Sequence, residues 1–549
     1  MRLALAAIAA VLPAALMLAA CGGGDVAPAS PGPGQTATAG PTQTAPSATA
    51  TATPSPPVVI ELAATSPALT VVGADSGDFL NGAPSLDSGD FNGDGIRDIL
   101  LGAPQADGPG NSRPDAGEAY VLLGGPELSG DIDLAEQPPN LIVFGGSEGD
   151  SLGFAVAAGD VNGDGLDDVI VGAPGVTGTD DPRTDQGETY VVFGSAGLAG
   201  EVDVAAGEQA FTVSGAEGFG RLGHALATGD VNGDEVGDLI IGAPLAGREP
   251  GTPPGGRRTE VGEVYAVFGR PDLGGSVSIP RDEQDFTLRG KQRSAQLGER
   301  LAAADVNGDG VDDILAGAPL ADGPGGRRAS GEVYAVFGDG GLKGSLSIAE
   351  RAADLTISGA EADDRLGAAL AAGDVSGDGV ADIIAAATGA DGPDNARPEA
   401  GEVYVFTGSA ELRGRLDAAE GRAALVVYGA AAGDLLASDI DIGDVNGDGV
   451  ADLLLGSGLG GGGDTAGEAH LLLGGPSPGA RVDLKQGGQA LLIAGAAPGD
   501  YVGSAVAIAR IGDAAPPRVL LLAPGADAPG GGRPDVGRLY EIDPKPALP

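Results

Sequence analysis

The residues best placed to do chemistry lie in one short stretch, AGDVNGDGLDDVIVGAP, from Ala158 to Pro174. Asp160, Asn162, Asp164 and Asp168 place side-chain oxygens at positions one, three, five and nine of a loop, and Leu166 offers its carbonyl at position seven. Hard cations such as Ca2+ take roughly six to eight oxygens at flexible distances, which a tight loop with donors at alternate positions can supply. Gly165 permits the positive φ that the sharp reversal needs. The pattern recurs at Asp90, Asn92, Asp94, Ile96 and Asp98, and again at Asp230, Asn232, Asp234, Val236 and Asp238. It returns at Asp305, Asn307, Asp309, Val311 and Asp313, at Asp374, Ser376, Asp378, Val380 and Asp382, and at Asp444, Asn446, Asp448, Val450 and Asp452. One copy alone reads equally well as a polar turn rich in Asp and Gly. Six in register predict up to six Ca2+ sites.

An EF-hand loop starts the same way but needs a Glu at position twelve and an exiting helix. Position twelve here is Leu101, Val171, Ile241, Ala316, Ala385 and Leu455, each inside an apolar run, so the EF-hand is excluded. The sites are expected to differ. In 230–238, Glu235 stands where the sister loops have Gly, which forces a side chain into an unfavourable backbone region. In 374–382, Ser376 replaces Asn with a shorter ligand. These two sites are predicted to be the weakest. Eighteen ligand Asp, three per loop, would meet twelve charges from six Ca2+, taking the formal charge from −48 to −36. The remaining acidity is surface charge that aids solubility.

Other chemistry is thinly supported. The pI near 4.1 excludes nucleic acid as a partner, since nothing would neutralise phosphates. There are two His and no Trp. His224 and His470 read as substitutions within strands, and no Ser-His-Asp set, zinc spacing or phosphate loop occurs. No catalytic residue is expected. A glycan-acting hydrolase built on exposed Asp pairs is the least favoured reading.

The elements that must hold these loops repeat with a period of roughly seventy residues. After each loop comes an apolar run: DILLGAP, DVIVGAP, DLIIGAP, DILAGAP, DIIAAAT and DLLLGSG. A seventh, RVLLLAP, follows a turn that has lost the acids. A second run recurs as GEAYVLLG, GETYVVFG, GEVYAVFG twice, GEVYVFTG, GEAHLLLG and GRLYEI. These short β-branched and aromatic runs, bounded by Gly or Pro, read as strands. With a run before each loop (GFAVAAGD) and one before the next repeat (AFTVSGA), each unit has about four strands. Seven four-stranded units, apolar on both faces, predict an all-β, seven-bladed β-propeller. The segment Val58–Gly73 matches the part of a unit missing after GRLYEI, so the N-terminal strand is expected to complete the last blade.

This arrangement resembles the FG-GAP repeat family, which includes the propellers of integrin alpha subunits. The resemblance covers Val58 to Ile542 and rests on LGFAV or LGHAL, the D-x-N-x-D-G-x-x-D loop and GAP. GAP is lost at Ala386–Thr388 and Gly456–Gly458. The resemblance implies a calcium-binding adhesion or recognition module. Family members that are enzymes carry a separate catalytic domain, which this chain does not match. It also implies that the loops after GAP face away from the calcium loops, toward a ligand. Most of these carry an arginine: Arg113, Arg183, Arg258, Arg328, Arg397 and Arg533. Asp115, Asp185, Glu260, Glu399 and Asp535 follow two positions on. Either the arginines contact an acidic partner, or, the favoured reading, each braces its own hairpin through that acid. The longest such loop, LAGREPGTPPGGRRTEVG, is the first candidate for a partner site.

The N-terminus reads as an export signal over residues 1–20. LAAC, ending at Cys21, resembles the lipobox of bacterial lipoproteins, which implies lipidation of Cys21, the sole cysteine. Residues 21–57 form a Pro-, Thr-, Ala- and Gly-rich tether ahead of the propeller at 58–549. The expectation is an exported, outward-facing protein held at a bacterial envelope by its lipid anchor only. Its partner would be a protein or a polysaccharide, the alternative being a scaffold subunit of an envelope complex.

Overall fold

A computed structural model describes residues 56–548 apart from 79–84, 127, 178–184, 216–218, 248–258, 461–465, 476–478 and 513–515. The signal segment, Cys21 and most of the tether lie outside the described residues. The chain divides into two units at Pro54, and every described strand belongs to the unit from Ser55 onward.

Seven sheets form, one per repeat. In blade 2 the inner strand Ala155–Gly159 turns through the acidic loop into Asp168–Ala173, followed by Glu188–Val192 and Phe211–Ser214, all antiparallel. Each inner strand touches the inner strands of both neighbours, and the strand Leu86–Gly89 meets Ala505–Ala509 to close the ring. The second strands, such as Asp168–Ala173, are buried along their whole length because neighbouring blades cover both faces. Clusters therefore cross blades: Ile170 and Val191 of blade 2 pack with Ile241 and Tyr265 of blade 3. At the Gly of GAP neighbouring blades approach too closely for a side chain. A Cβ on Gly172 would lie 2.0 Å from the Gly223 carbonyl of the next blade.

Closure follows the expected route. Leu69–Val72 enters blade 7 as its fourth strand, antiparallel to the C-terminal strand Arg538–Ile542. The strand count differs from expectation: every sheet has five strands, not four. The fifth is donated by the following repeat and runs parallel to the fourth, as Gly275–Ser278 does beside Phe211–Ser214. Val58–Glu61 serves blade 6 in this way. Apart from Val58–Glu61 these outer strands are short, polar and half-exposed, as in GEVD at Gly200–Asp203, so they carry little apolar signature.

Candidate metal centre

All six acidic loops join an inner strand to a second strand and so share one end of the ring. In blade 2, Asp160 Oδ1 accepts from the amides of Gly163 (2.6 Å) and Asp164 (3.1 Å), and Oδ2 from Gly165 (2.7 Å). Asp164 Oδ1 accepts from Leu166 N at 3.0 Å. The position-one carboxylates of the other loops accept from the same three amides, at positions four, five and six. The position-nine carboxylate is buried. Asp168 accepts from Val161 N (3.0 Å), Gly194 N (2.9 Å) and the Asn162 amide (3.1 Å), tying the loop to the end of the third strand. Asp98, Asp238, Asp313 and Asp452 repeat the two backbone bonds, while Asp382 takes the amides of Ser376 and Gly408.

Burial, reinforced by the carboxylates at positions one and five, pushes Asp168, Asp238 and Asp313 up to about 7 and Asp98 up to about 6. Asp382 and Asp452 move the same way, again chiefly by burial. Each loop thus concentrates negative charge around oxygen donors, a donor set suited to a hard divalent cation. Positions one, three, five, seven and nine are the residues that would hold it. Among the described residues, however, no three acidic, His or Cys side chains already converge as a metal cluster. Their oxygens order the loop through backbone amides instead.

Two loops depart as the sequence suggested. Glu235 is held at φ +69°. The Ser376 hydroxyl turns onto Asp374 Oδ1 at 3.3 Å. Position seven has a second use that its apolar character signals. Leu166 packs where a Cβ on Gly93 of the preceding loop would stand, and Val236, Val311, Val380 and Val450 sit likewise over Gly163, Gly233, Gly308 and Gly377. The amide at position eight donates to the position-one carbonyl of the previous loop: Asp167 to Asp90, Gly237 to Asp160, Asp312 to Asp230, Ala381 to Asp305 and Ala451 to Asp374. Arg97 bonds Arg510 in the same manner, carrying the belt into blade 7. The remaining step falls to Pro517, which has no N–H to give.

At the opposite end the arginines do brace, but not through their own acids. Arg113 forms a bidentate pair with Asp203 (2.7 Å to each oxygen) and donates to Gly145 O at 2.8 Å. Asp203 ends the fifth strand of the same blade, a strand contributed by the next repeat. Arg397 pairs with Asp483 at 2.8 Å, and Arg533 with Asp133 across the closure. In blade 4 the equivalent residue is Arg327, which reaches Asp417 at 2.7 Å. Arg328, the residue expected from the sequence, makes an exposed pair with Asp363. Asp115, Glu260, Glu399 and Asp535 occupy left-handed turn positions, and Asp115, Glu399 and Asp535 bond through their amides to Asp107, Asp391 and Asp527. Arg183, Arg258 and most of the long basic loop lie outside the described residues.

Both histidines are engaged within the blades. His224 meets Glu299 at 3.3 Å and the Phe154 ring at 4.8 Å, and His470 meets Glu468 at 3.1 Å. A feature the sequence displayed but did not explain is the Glu–Tyr pair of GEVY. Two apart on a strand, the side chains share a face. Tyr120 donates to Glu118 (2.8 Å) and Tyr190 to Glu188 (2.6 Å), and the pairs Tyr265–Glu263, Tyr334–Glu332 and Tyr404–Glu402 form the same bond.

Seven blades, a ring of acidic turns and closely approaching GAP glycines define a seven-bladed β-propeller carrying FG-GAP repeats. The FG-GAP repeat model matches residues 82–122, 152–192, 222–267, 297–336 and 366–406. Human phosphatidylinositol-glycan-specific phospholipase D is 36% identical over 213 residues, which is 38% of this chain and 23% of that protein. Integrin alpha pat-2 of Caenorhabditis elegans is 31% identical over 247 residues, 43% of this chain and 17% of that one. Integrin alpha-PS2 of Drosophila melanogaster is 32% identical over 230 residues, 40% of this chain and 14% of that one. The chain thus spans less than a quarter of the length of these relatives. A crystal structure of BBS1N in complex with ARL6DN, soaked with lead, has a TM-score of 0.43 at 9% identity, covering 87% of this chain and 95% of that one. That likeness is too distant to bear on function.

Proposed function

We propose that this propeller is a calcium-binding recognition module, held on the outer face of a cell envelope through Cys21, that binds a protein or polysaccharide. The observation that carries the reading is the division of labour between the two ends of the ring. At one end six near-identical acidic loops are knit into a belt, while at the other the loops between second and third strands differ from blade to blade. A belt suits a cation-stabilised base, and divergent loops suit a binding face. The integrin alpha relatives support an adhesive role, and the phospholipase relative supports only that such a propeller can accompany other activities.

Cross-linking on intact cells, with and without calcium, tests this. Calcium-dependent capture of a glycan or a surface protein supports recognition. A single stoichiometric envelope protein captured regardless of calcium would make the chain a scaffold, and turnover of a captured saccharide would make it a hydrolase.

A further inference from the structure

The Glu–Tyr pair near the start of the third strand in blades 1 to 5 acquires a third member in blade 4. Lys291, from the segment leading into that blade, places Nζ 2.8 Å from Glu332 Oε2 and 5.4 Å from the centroid of the Tyr334 ring. Glu332 is only 3% exposed, and the lysine is 21% exposed. A carboxylate and an aromatic face are the two groups that recognise an ammonium ion, and here the chain fills the site with its own lysine.

Blade 5 repeats the pair as Glu402 and Tyr404 but lacks the lysine. The glycines that precede the position in each repeat make matching bonds, Gly290 N to Gly262 O at 3.0 Å and Gly359 N to Gly331 O at 2.9 Å. The residue after Gly290 is Lys291, and the residue after Gly359 is Ala360. Ala360, Glu402 and Tyr404 line a cavity of about 490 Å3 whose wall also includes Glu361, Asp364, Asp391 and Asp394. Their counterparts in blade 4 are Gln292, Ala295, Asp322 and Gly325. Over these positions blade 4 carries Lys291, Asp322 and Glu332, a net charge of −1, and blade 5 carries five acids, a net charge of −5. The difference is four negative charges at one repeat position.

Nothing among the described residues bonds Glu402 with a basic side chain. Its hydrogen-bond partner is Tyr404, Arg397 is committed to Asp483 and the Gly429 carbonyl, and Arg481 donates to the carbonyls of Gly479 and Ala480. Burial raises Glu402, with Glu361 adding to the rise and the Tyr404 hydroxyl, Arg481 and Arg397 opposing it, and burial together with Glu402, Glu361 and Asp391 pushes Asp364 up to about 7. The acids do not converge as a metal cluster.

We propose that the blade 5 cavity binds a primary ammonium group supplied by a partner protein, a lysine side chain seated against Glu402 and the Tyr404 ring as Lys291 is against Glu332 and Tyr334. This rests on the recognition reading and gives it an address, on the end of the ring away from the acidic loops. The test is calorimetric titration of the full chain, in calcium, with acetyl-Gly-Lys-Gly-amide and its norleucine counterpart. The lysine peptide binds and the norleucine peptide does not. Glu402→Gln weakens binding by on the order of tenfold or more. Ala360→Lys installs the blade 4 arrangement, abolishes binding and melts at or above the wild-type temperature, which shows that it folds. Equal binding of both peptides, no binding of either, binding retained by Ala360→Lys, or displacement of the peptide from the cavity by added Ca2+ each overturns the site. If Ala360→Lys still captures the wild-type partner on cells, the ammonium site fails while the recognition reading stands.

Discussion

Replacing Arg397 with Ala removes a pin that joins two repeats. The guanidinium donates to Gly429 O at 2.5 Å, Ala430 O at 3.2 Å and Asp483 Oδ1 at 2.8 Å, with the side chains 9% and 17% exposed. Breaking a buried pair from one side costs roughly 3–5 kcal/mol, because the remaining charge is left uncompensated. Asp483 is not fully buried and keeps two donors, Lys485 N at 3.1 Å and Gln486 Nε2 at 2.8 Å. That lowers the expected cost to about 2–3 kcal/mol. Arg328→Ala is the internal control, since the Arg328–Asp363 pair is 75% and 50% exposed. Its expected cost is below about 0.5 kcal/mol. Urea unfolding in saturating calcium, followed through the buried tyrosines because the chain has no Trp, gives both values. The double-mutant cycle of Arg397→Ala with Asp483→Asn should return a coupling of about 1–2 kcal/mol that survives high salt. Equal losses for the two arginines, or a coupling under about 0.5 kcal/mol, would refute the pin.

Three further outcomes are expected. EDTA lowers the melting temperature, since an ion bound only by the folded state contributes about 2.7 kcal/mol per site at a hundredfold excess over Kd; an unchanged melt removes calcium from the account. Glu235→Gly relieves the side chain held at φ +69°, raising stability by about 1 kcal/mol and tightening calcium at 230–238, as titration of single-loop variants would show. The third outcome concerns Asp441, on the inner strand of blade 6, which accepts from Ile508 N at 2.6 Å and is pushed by burial from 3.8 up to about 7, with Asp87 and Asp439 adding to the rise. Because its folded value lies above its unfolded one, the native state keeps a proton the unfolded chain has released, and stability falls as pH rises from about 4 through 7. Asp441→Asn should flatten that slope, by on the order of 2–4 kcal/mol across the window, in melts recorded from pH 4 to 8.

The parts of the molecule legible in the sequence are those whose cause is local. Asp at positions one and five of each loop orders the loop's own amides, so the motif and its geometry lie within nine residues. The second strands read plainly because both faces are buried. Closure was readable because Val58–Gly73 repeats a pattern found elsewhere in the chain. What escaped depends on contacts between repeats. Arg113 and Asp203 are 90 positions apart, and no spacing rule within one loop points from one to the other. The nearer acid, Asp115, was the natural partner to expect, yet its backbone is turned into the left-handed region and its amide bonds Asp107.

The same contacts explain the pins seen among the described residues. A pin needs an acid at the end of the fifth strand, and blades 1, 4, 5 and 7 have Asp203, Asp417, Asp483 and Asp133 there. Blades 2 and 3 end that strand in Ser278 and Ser347, which cannot compensate a guanidinium. Each Asp also accepts from the amide two residues on, as Asp203 does from Ala205 and Asp417 from Ala419, so it is oriented before the arginine arrives. The arginine side of the pattern is visible within one repeat and the acid side within the next. Only the parallel fifth strand, the element with the weakest sequence signature, brings them together. Exchanging Asp417 for Ser, the residue type that ends the fifth strand of blades 2 and 3, should therefore cost stability at the Arg327 pin while leaving every strand in register.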